Sequence, residues 1–118
     1  MSGSLSDEIL DYITTRDWVT FVELQHRFFA DDKGSISYEL PGNIVLWCGM
    51  SQRFADIFDE LRTSRKVILE PATYLTYLMD GGMLNLPLVK RPRKAGYKKP
   101  HWLPACLRPA NAVPKDSV

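Results

Sequence analysis

The segment from Lys90 to Lys99 carries the densest run of ionic side chains in this 118-residue chain. Six of its ten residues are basic and none is acidic: Lys90, Arg91, Arg93, Lys94, Lys98 and Lys99. Residues 1–89 hold seven basic and thirteen acidic side chains, a net charge of −6, whereas residues 90–99 contribute +6 and residues 100–118 contribute +1. The total of +1 therefore conceals an acidic body and a cationic segment, which we call the strap. Such a run attracts phosphate groups and releases their counterions, so it indicates a polyanionic partner, most often a nucleic acid.

Aromatic side chains accompany the cations of the strap. Tyr97 lies within it, and His101 and Trp102 follow directly. This mixture suits a nucleic acid, because cations follow the phosphates while a ring can stack on a base. Trp102 could instead pin the segment onto the rest of the protein. Proline recurs here and periodicity vanishes, so we predict that residues 90–118 form a basic, Pro-containing extended tail.

Residues that could support catalysis or bind a metal are few. His26 has no carboxylate or nucleophile at a recognisable spacing, which favours a partly buried structural histidine. His101 and Cys106 lack the close Cys/His pairs of a zinc site. Gly81-Gly82 lacks the Lys-Ser/Thr that completes a phosphate-binding loop. We therefore expect neither enzymatic activity nor a cofactor nor a bound metal.

Length and composition indicate one soluble domain. With 45% apolar residues the chain can build one core, and no apolar run approaches the roughly 20 residues of a membrane span. The N-terminus lacks a basic start followed by an apolar run, so we expect no secretory signal and no membrane. Cys48 and Cys106 are far apart, and we expect free thiols in the cytoplasm of a bacterium or similar cell.

Three helices are predicted from capping residues and from apolar spacing. Ser6 is expected to cap the first helix, Thr20 the second and Ser51 the third, which runs from Gln52 to about Ser64. Apolar side chains recur at helical spacing on the second and third helices, and we predict that they share a core: Phe21, Leu24, Phe28, Phe54, Ile57, Phe58 and Leu61.

Two hairpins are predicted from alternation and turn residues. Ile36, Tyr38 and Leu40 alternate with polar neighbours, and Pro41-Gly42-Asn43 supplies turn residues. A continuous apolar run of strand length follows at residues 44–48, so we predict the first hairpin here. Thr73–Met79 and Met83–Val89 are interpreted as the strands of the second, with Asp80-Gly81-Gly82 as its turn.

The order of helix, short strand, capped helix, helix and hairpin over residues 5–89 resembles the winged helix-turn-helix DNA-binding superfamily. This resemblance implies an α+β domain of three helices with a C-terminal hairpin wing. Here an extra hairpin is inserted before the third helix. In that superfamily the third helix commonly enters the major groove, so its start, at Ser51, Gln52 and Arg53, is expected to approach DNA.

The leading hypothesis is a small DNA-binding protein, a transcription regulator or an accessory factor of a mobile element. It would bind double-stranded DNA through the third helix, the wing and the strap. The alternative is a protein–protein interaction module that uses the acidic face of helix 51–64, which carries Asp56, Asp59 and Glu60. A homodimer or a protein partner is also open, with hairpin 35–48, through Tyr38 and Trp47, as the candidate surface.

Overall fold

The computed structural model describes residues 4–89 and 96–112, and it shows an α+β fold. Its helices are α1 (Leu5–Arg16), α2 (Phe21–Phe28), α3 (Gln52–Thr63) and α4 (Tyr74–Met79). Its strands are β1 (Lys33–Leu40), β2 (Ile44–Met50), β3 (Val67–Pro71), β4 (His101–Trp102) and β5 (Ala105–Pro109). One sheet has the order β1-β2-β4, and β3 pairs with β5 in a second.

The predicted caps of the second and third helices are confirmed. The Thr20 hydroxyl accepts a hydrogen bond from the Glu23 amide at 3.0 Å, and the Ser51 hydroxyl accepts one from the Phe54 amide at 3.1 Å. The predicted cap of α1 is wrong by two residues, because Ser4 takes that place and forms a capping box with Asp7. The side chains of Ser4 and Asp7 each accept a hydrogen bond from the other residue's backbone amide, so the helix begins directly after Ser4, at Leu5.

The first predicted hairpin is confirmed. Strands β1 and β2 pair antiparallel, with Leu40 opposite Ile44, and residues 41–43 form the turn between them. Gly42 and Asn43 both have positive φ angles, of 90° and 61°. These residue types adopt such angles at low cost, which explains why the chain turns here.

The second predicted hairpin, and with it the wing, is wrong. Residues Tyr74–Met79 form α4, and the described chain from Met83 to Val89 makes only an isolated parallel bridge between Leu88 and Trp102. The Gly-Gly signal belongs to a helix end: the Gly82 amide donates to the Tyr77 carbonyl and the Gly81 amide to the Leu78 carbonyl. This pair of bonds, with Gly81 at a φ of +94°, is a Schellman motif. The hairpin prediction failed because a run as short as residues 74–79 does not distinguish a strand from a helix by periodicity. Two glycines can also end a helix as well as form a hairpin turn.

The C-terminal segment is also more ordered than the predicted extended tail. Strand β5 pairs antiparallel with β3, and β4 pairs parallel with β2. Trp102, Cys106 and Leu107 are fully buried in the core that residues 5–89 also build. Residues 101–109 therefore pair with strands on the other side of the predicted boundary at residue 90, and the division into a domain and a tail stays a prediction.

The predicted aromatic core is present between α2 and α3. Phe21 and Phe58 meet edge to face with ring centroids 4.9 Å apart. Leu24, Phe54 and Leu61 are buried beside them, while Phe28 and Ile57 are half-buried against the cluster. The sequence did not predict the second part of the core, where Tyr77 and Trp102 pack with centroids 5.1 Å apart.

Candidate nucleic-acid interface

Lys98 and Lys99, the two described cations of the strap, lie on a turn anchored to the β1–β2 hairpin. The Tyr97 amide donates to the Gly42 carbonyl at 2.9 Å, and the Asn43 side-chain amide donates to the Tyr97 carbonyl at 2.7 Å. After the two lysines, the His101 amide donates to the Asn43 carbonyl at 2.8 Å. The lysines are therefore exposed between two points that the hairpin turn fixes.

The aromatic rings on either side of these lysines close the turn. The rings of Tyr97 and His101 stack with centroids 3.9 Å apart and an interplanar angle of 20°. Nδ1 of His101 also lies 2.8 Å from the Lys99 carbonyl oxygen. The rings predicted to stack on bases thus stack on each other, and Trp102 is buried in the core.

Two glycines fix the position where the strap rejoins the hairpin. A Cβ atom on Gly96 would lie 2.4 Å from the Gly42 Cα atom, closer than side chains allow. At the other end, the Val89 amide donates to the Trp102 carbonyl at 2.9 Å. The segment between these anchors, with Lys90, Arg91, Arg93 and Lys94, lies outside the described residues, so its predicted role stays a prediction.

Ser51, Gln52 and Arg53 line a shallow groove of about 540 Å³ at the start of α3. Ser51 is buried, and besides capping the helix its hydroxyl donates to Asp32 at 3.1 Å. The side-chain amide of Gln52 donates a hydrogen bond to the Asp56 carboxylate at 2.7 Å. Arg53 pairs with Asp32 at 3.2 Å while its side chain stays 61% exposed. Arg53 and Gln52 can therefore still be reached from solvent, whereas the Ser51 hydroxyl is fully engaged.

The two parts of the predicted interface lie at opposite ends of the β1–β2 hairpin. The start of α3 follows the end of β2, where Met50 pairs with Lys33. The lysine turn sits on Gly42 and Asn43, at the other end. The eight residues of β1 separate them by roughly 25 Å at the usual rise per residue. The structure therefore does not bring these residues into one compact site.

The acidic face of α3 makes contacts with its own chain. Asp59 accepts a hydrogen bond from the Tyr38 hydroxyl at 2.6 Å, and Glu60 accepts one from Ser6 at 3.4 Å. Burial, and then the bond to Asp59, raises the pKa of Tyr38. Tyr38 also packs on Phe58, and Trp47 packs on Tyr77, so neither ring offers the free dimer surface that the sequence suggested.

Sequence reasoning missed a polar groove of about 420 Å³ between α1, α2 and the end of α4. Its lining side chains are Tyr12, Arg16, Glu23, His26, Arg27 and Asp80. Glu23 is held by the Tyr12 hydroxyl and by Arg16 at 3.1 Å, and Asp80 accepts from the buried Thr20 hydroxyl at 2.6 Å. His26 is exposed here, so its predicted partial burial is wrong. Helical spacing predicts which side chains of α1 and α2 share a face in this groove. Asp80 joins them only because α4 ends in a Schellman turn, where the sequence predicted a hairpin.

Metal ligands do not converge in the part of the chain that the structure describes. Within residues 4–89 and 96–112, no three His, Cys, Asp or Glu side chains are grouped as a metal site would require. Cys48 and Cys106 are free thiols, as predicted. Burial raises the pKa of Cys106 to about 12, so its thiol stays protonated at neutral pH.

Arg108, a basic residue of the segment predicted to be a tail, is buried between two acidic residues. Its Nε and Nη2 atoms donate to the Asp17 carboxylate at 2.8 and 2.9 Å, and Nη1 lies 3.6 Å from Glu70. Its guanidinium lies 4.2 Å from the centre of the Trp18 ring. Asp17 and Trp18 both have positive φ angles, which only firm contacts maintain in such residues. Arg108 therefore locks the junction of α1 and α2 and is not part of a cationic surface.

Replacing Asp17 with asparagine is expected to destabilise the protein at neutral pH and to destabilise it less in acid. The hydrogen bonds from Arg108 lower the pKa of Asp17 below its ordinary value of 3.8. Because the folded carboxyl has the lower pKa, its contribution is complete above about pH 4 and is lost as the pH falls below that value. Urea unfolding at pH 7 and pH 3 gives the free energy of unfolding of the intact protein and of Asp17→Asn, and the difference between the two should be smaller at pH 3. An equal gap at both pH values would contradict this.

Comparison with known proteins identifies no relative. The chain matches no protein-family model, no curated protein and no solved structure. Among the described residues, no helix has the length and apolar character needed to cross a lipid bilayer.

Proposed function

We propose that this protein binds double-stranded DNA through the strap, as a transcription regulator or an accessory factor of a mobile element. The observation that carries the proposal is the exposed Lys98-Lys99 turn, fixed to the hairpin at Gly42 and Asn43. Four more cations, Lys90, Arg91, Arg93 and Lys94, precede it within nine residues of sequence. A polyanion is the partner that such a concentration of positive charge attracts most strongly.

The anchored turn supports this proposal through entropy and geometry. A lysine pair on a free chain must be ordered when it binds, which weakens the complex. Here the rings of Tyr97 and His101, which flank the pair in sequence, stack on each other and hold the backbone in place before DNA binds. The net charge of −6 on residues 1–89 also repels phosphates, so DNA is steered toward the strap.

Sequence preference in this proposal comes from Gln52 and Arg53. Glutamine reads adenine and arginine reads guanine through paired hydrogen bonds in the major groove. The separation of roughly 25 Å between these residues and the lysine turn equals about seven base-pair steps of B-DNA. One duplex can therefore reach both ends of the hairpin, although Gln52 and Arg53 must exchange their bonds to Asp56 and Asp32.

The proposal is tested by titrating generic duplex DNA at several salt concentrations and following fluorescence anisotropy. If about four cations meet phosphates, the logarithm of affinity should fall against the logarithm of salt with a slope of about −3.6. The double variant K98Q/K99Q should flatten that slope to about −1.8 if both lysines make contacts. It should weaken binding to all sequences alike, because phosphate contacts carry no base information.

The double variant R65Q/K66Q is the matched control. It also removes two adjacent exposed cations, but at the end of α3, away from the strap. It should leave the slope unchanged if the strap binds DNA. Equal effects of the two variants would indicate a general charge effect and refute the strap as the site. Failure of the intact protein to bind any duplex at low salt would refute DNA binding altogether and favour the interaction-module alternative.

A further inference from the structure

Helix α4 presents an apolar face to solvent. Four of its six residues expose large apolar side chains: Tyr74 (40%), Leu75 (55%), Leu78 (46%) and Met79 (88%). Met83, just beyond the helix, is 48% exposed. At 100° per residue, the four helical positions fall in one stripe, whereas Tyr77 points the other way into the core. Contiguous apolar patches of this kind on a protein surface mark interaction sites.

A pocket of about 420 Å³ lies beside this stripe. It is lined by Trp18, Pro71, Ala72, Thr73, Thr76 and the buried Cys106. Trp18 is 37% exposed, and its ring is held by the Arg108 guanidinium beneath it. Thr76 and Met79 are three residues apart on α4, which puts the most exposed methionine one helical turn from the pocket.

We infer that α4 and the Trp18 pocket form a self-association surface, occupied by the same surface of a second copy of this chain. In a two-fold dimer with antiparallel α4 helices, Met79 of each copy faces the Thr73–Thr76 turn of the other. The projecting methionine then enters the partner's pocket, and the contact occurs twice. A flexible thioether against an indole ring is a favourable pairing.

The size and charge of the surface support a second copy as its occupant. The exposed side chains amount to on the order of 600 Å² per copy, given the area of large apolar residues. Two such patches together bury about 1,200 Å², which reaches the lower limit for a specific interface. No side chain of α4 is charged, so two copies meet without like-charge repulsion. The inference does not rest on the strap and is independent of DNA binding.

The experiment is sedimentation equilibrium of the full chain, without DNA, over a wide range of protein concentration. The intact protein should shift from its monomer mass of 13.5 kDa toward twice that mass as concentration rises. Met79→Glu should remain monomeric, because two carboxylates would enter apolar pockets. The control Ala30→Glu adds the same charge in an exposed turn after α2 and should dimerise as the intact protein does.

Two outcomes would overturn the inference. One is an intact protein that stays monomeric up to its solubility limit. The other is a Met79→Glu variant that dimerises like the control, since the dimer would then use another surface. Leu75→Lys is a second variant on the same stripe and should also remain monomeric. Circular dichroism confirms that each variant is folded before its mass is interpreted, and the exposure of Met79 and Leu75 predicts that both are.

Discussion

Replacing Trp102 with alanine is expected to lower the free energy of unfolding by about 3–5 kcal/mol, the usual loss for a large buried ring. Trp102 is fully buried and packs against Tyr77 and Trp47, with centroids 5.1 and 6.2 Å apart. Its backbone also holds neighbouring segments, because its amide bonds the Pro87 carbonyl and its carbonyl accepts from Val89. Urea denaturation followed by circular dichroism measures the loss.

Trp102→Phe is the matched control for this prediction. The indole Nε1 of Trp102 is buried and finds no acceptor among the described residues. Phenylalanine keeps most of the ring and removes that unsatisfied group, so it should cost much less than alanine. A loss below about 1 kcal/mol for Trp102→Ala would show that β4 does not pack in the core.

Replacing Phe58 with alanine is the second change with an expected loss of about 3–5 kcal/mol. Phe58 is 2% exposed and contacts Phe21 and Tyr38 edge to face, with centroids 4.9 and 4.6 Å apart. Its removal leaves a cavity between α2, α3 and β1. Phe28→Ala serves as the comparison, because Phe28 is half-buried at the edge of the same cluster and should cost less.

Trp102 and Phe58 occupy different parts of the core, which makes the pair informative. If the strands β4 and β5 belong to the same domain as α2 and α3, each variant should shift a single unfolding transition monitored by any probe. Two separate transitions in either variant would instead support the boundary at residue 90 that the sequence suggested.

Local signals predicted the first half of the fold well. The caps at Thr20 and Ser51 and the hairpin turn at Pro41–Asn43 depend on neighbouring residues, and all three are confirmed. The pairing of β3 with β5 joins segments nearly forty residues apart, so no local pattern reveals it. Helix α4 was missed because Tyr and Thr also favour strands and because its terminating glycines resemble a hairpin turn.

The candidate interface was predictable in its charge and not in its geometry. The cations of the strap are plain in the sequence, but the anchoring of Lys98 and Lys99 on Gly42 and Asn43 requires a contact across more than fifty residues. For Arg108 the charge itself is misleading. It adds a positive charge to the C-terminal segment in the sequence, but in the structure Asp17 and Glu70 neutralise it.

The anchoring of the chain at Val89 and Gly96 has a consequence for protein engineering. Residues 101–109 are held by their own hydrogen bonds, β4 to β2 and β5 to β3, and not only by their covalent link to residue 89. A gene divided between residues 90 and 95 would therefore encode two complementary pieces. The larger piece lacks strands β4 and β5, and the short peptide supplies them. Reassembly of the two pieces would then report on the proximity of any two partners fused to them.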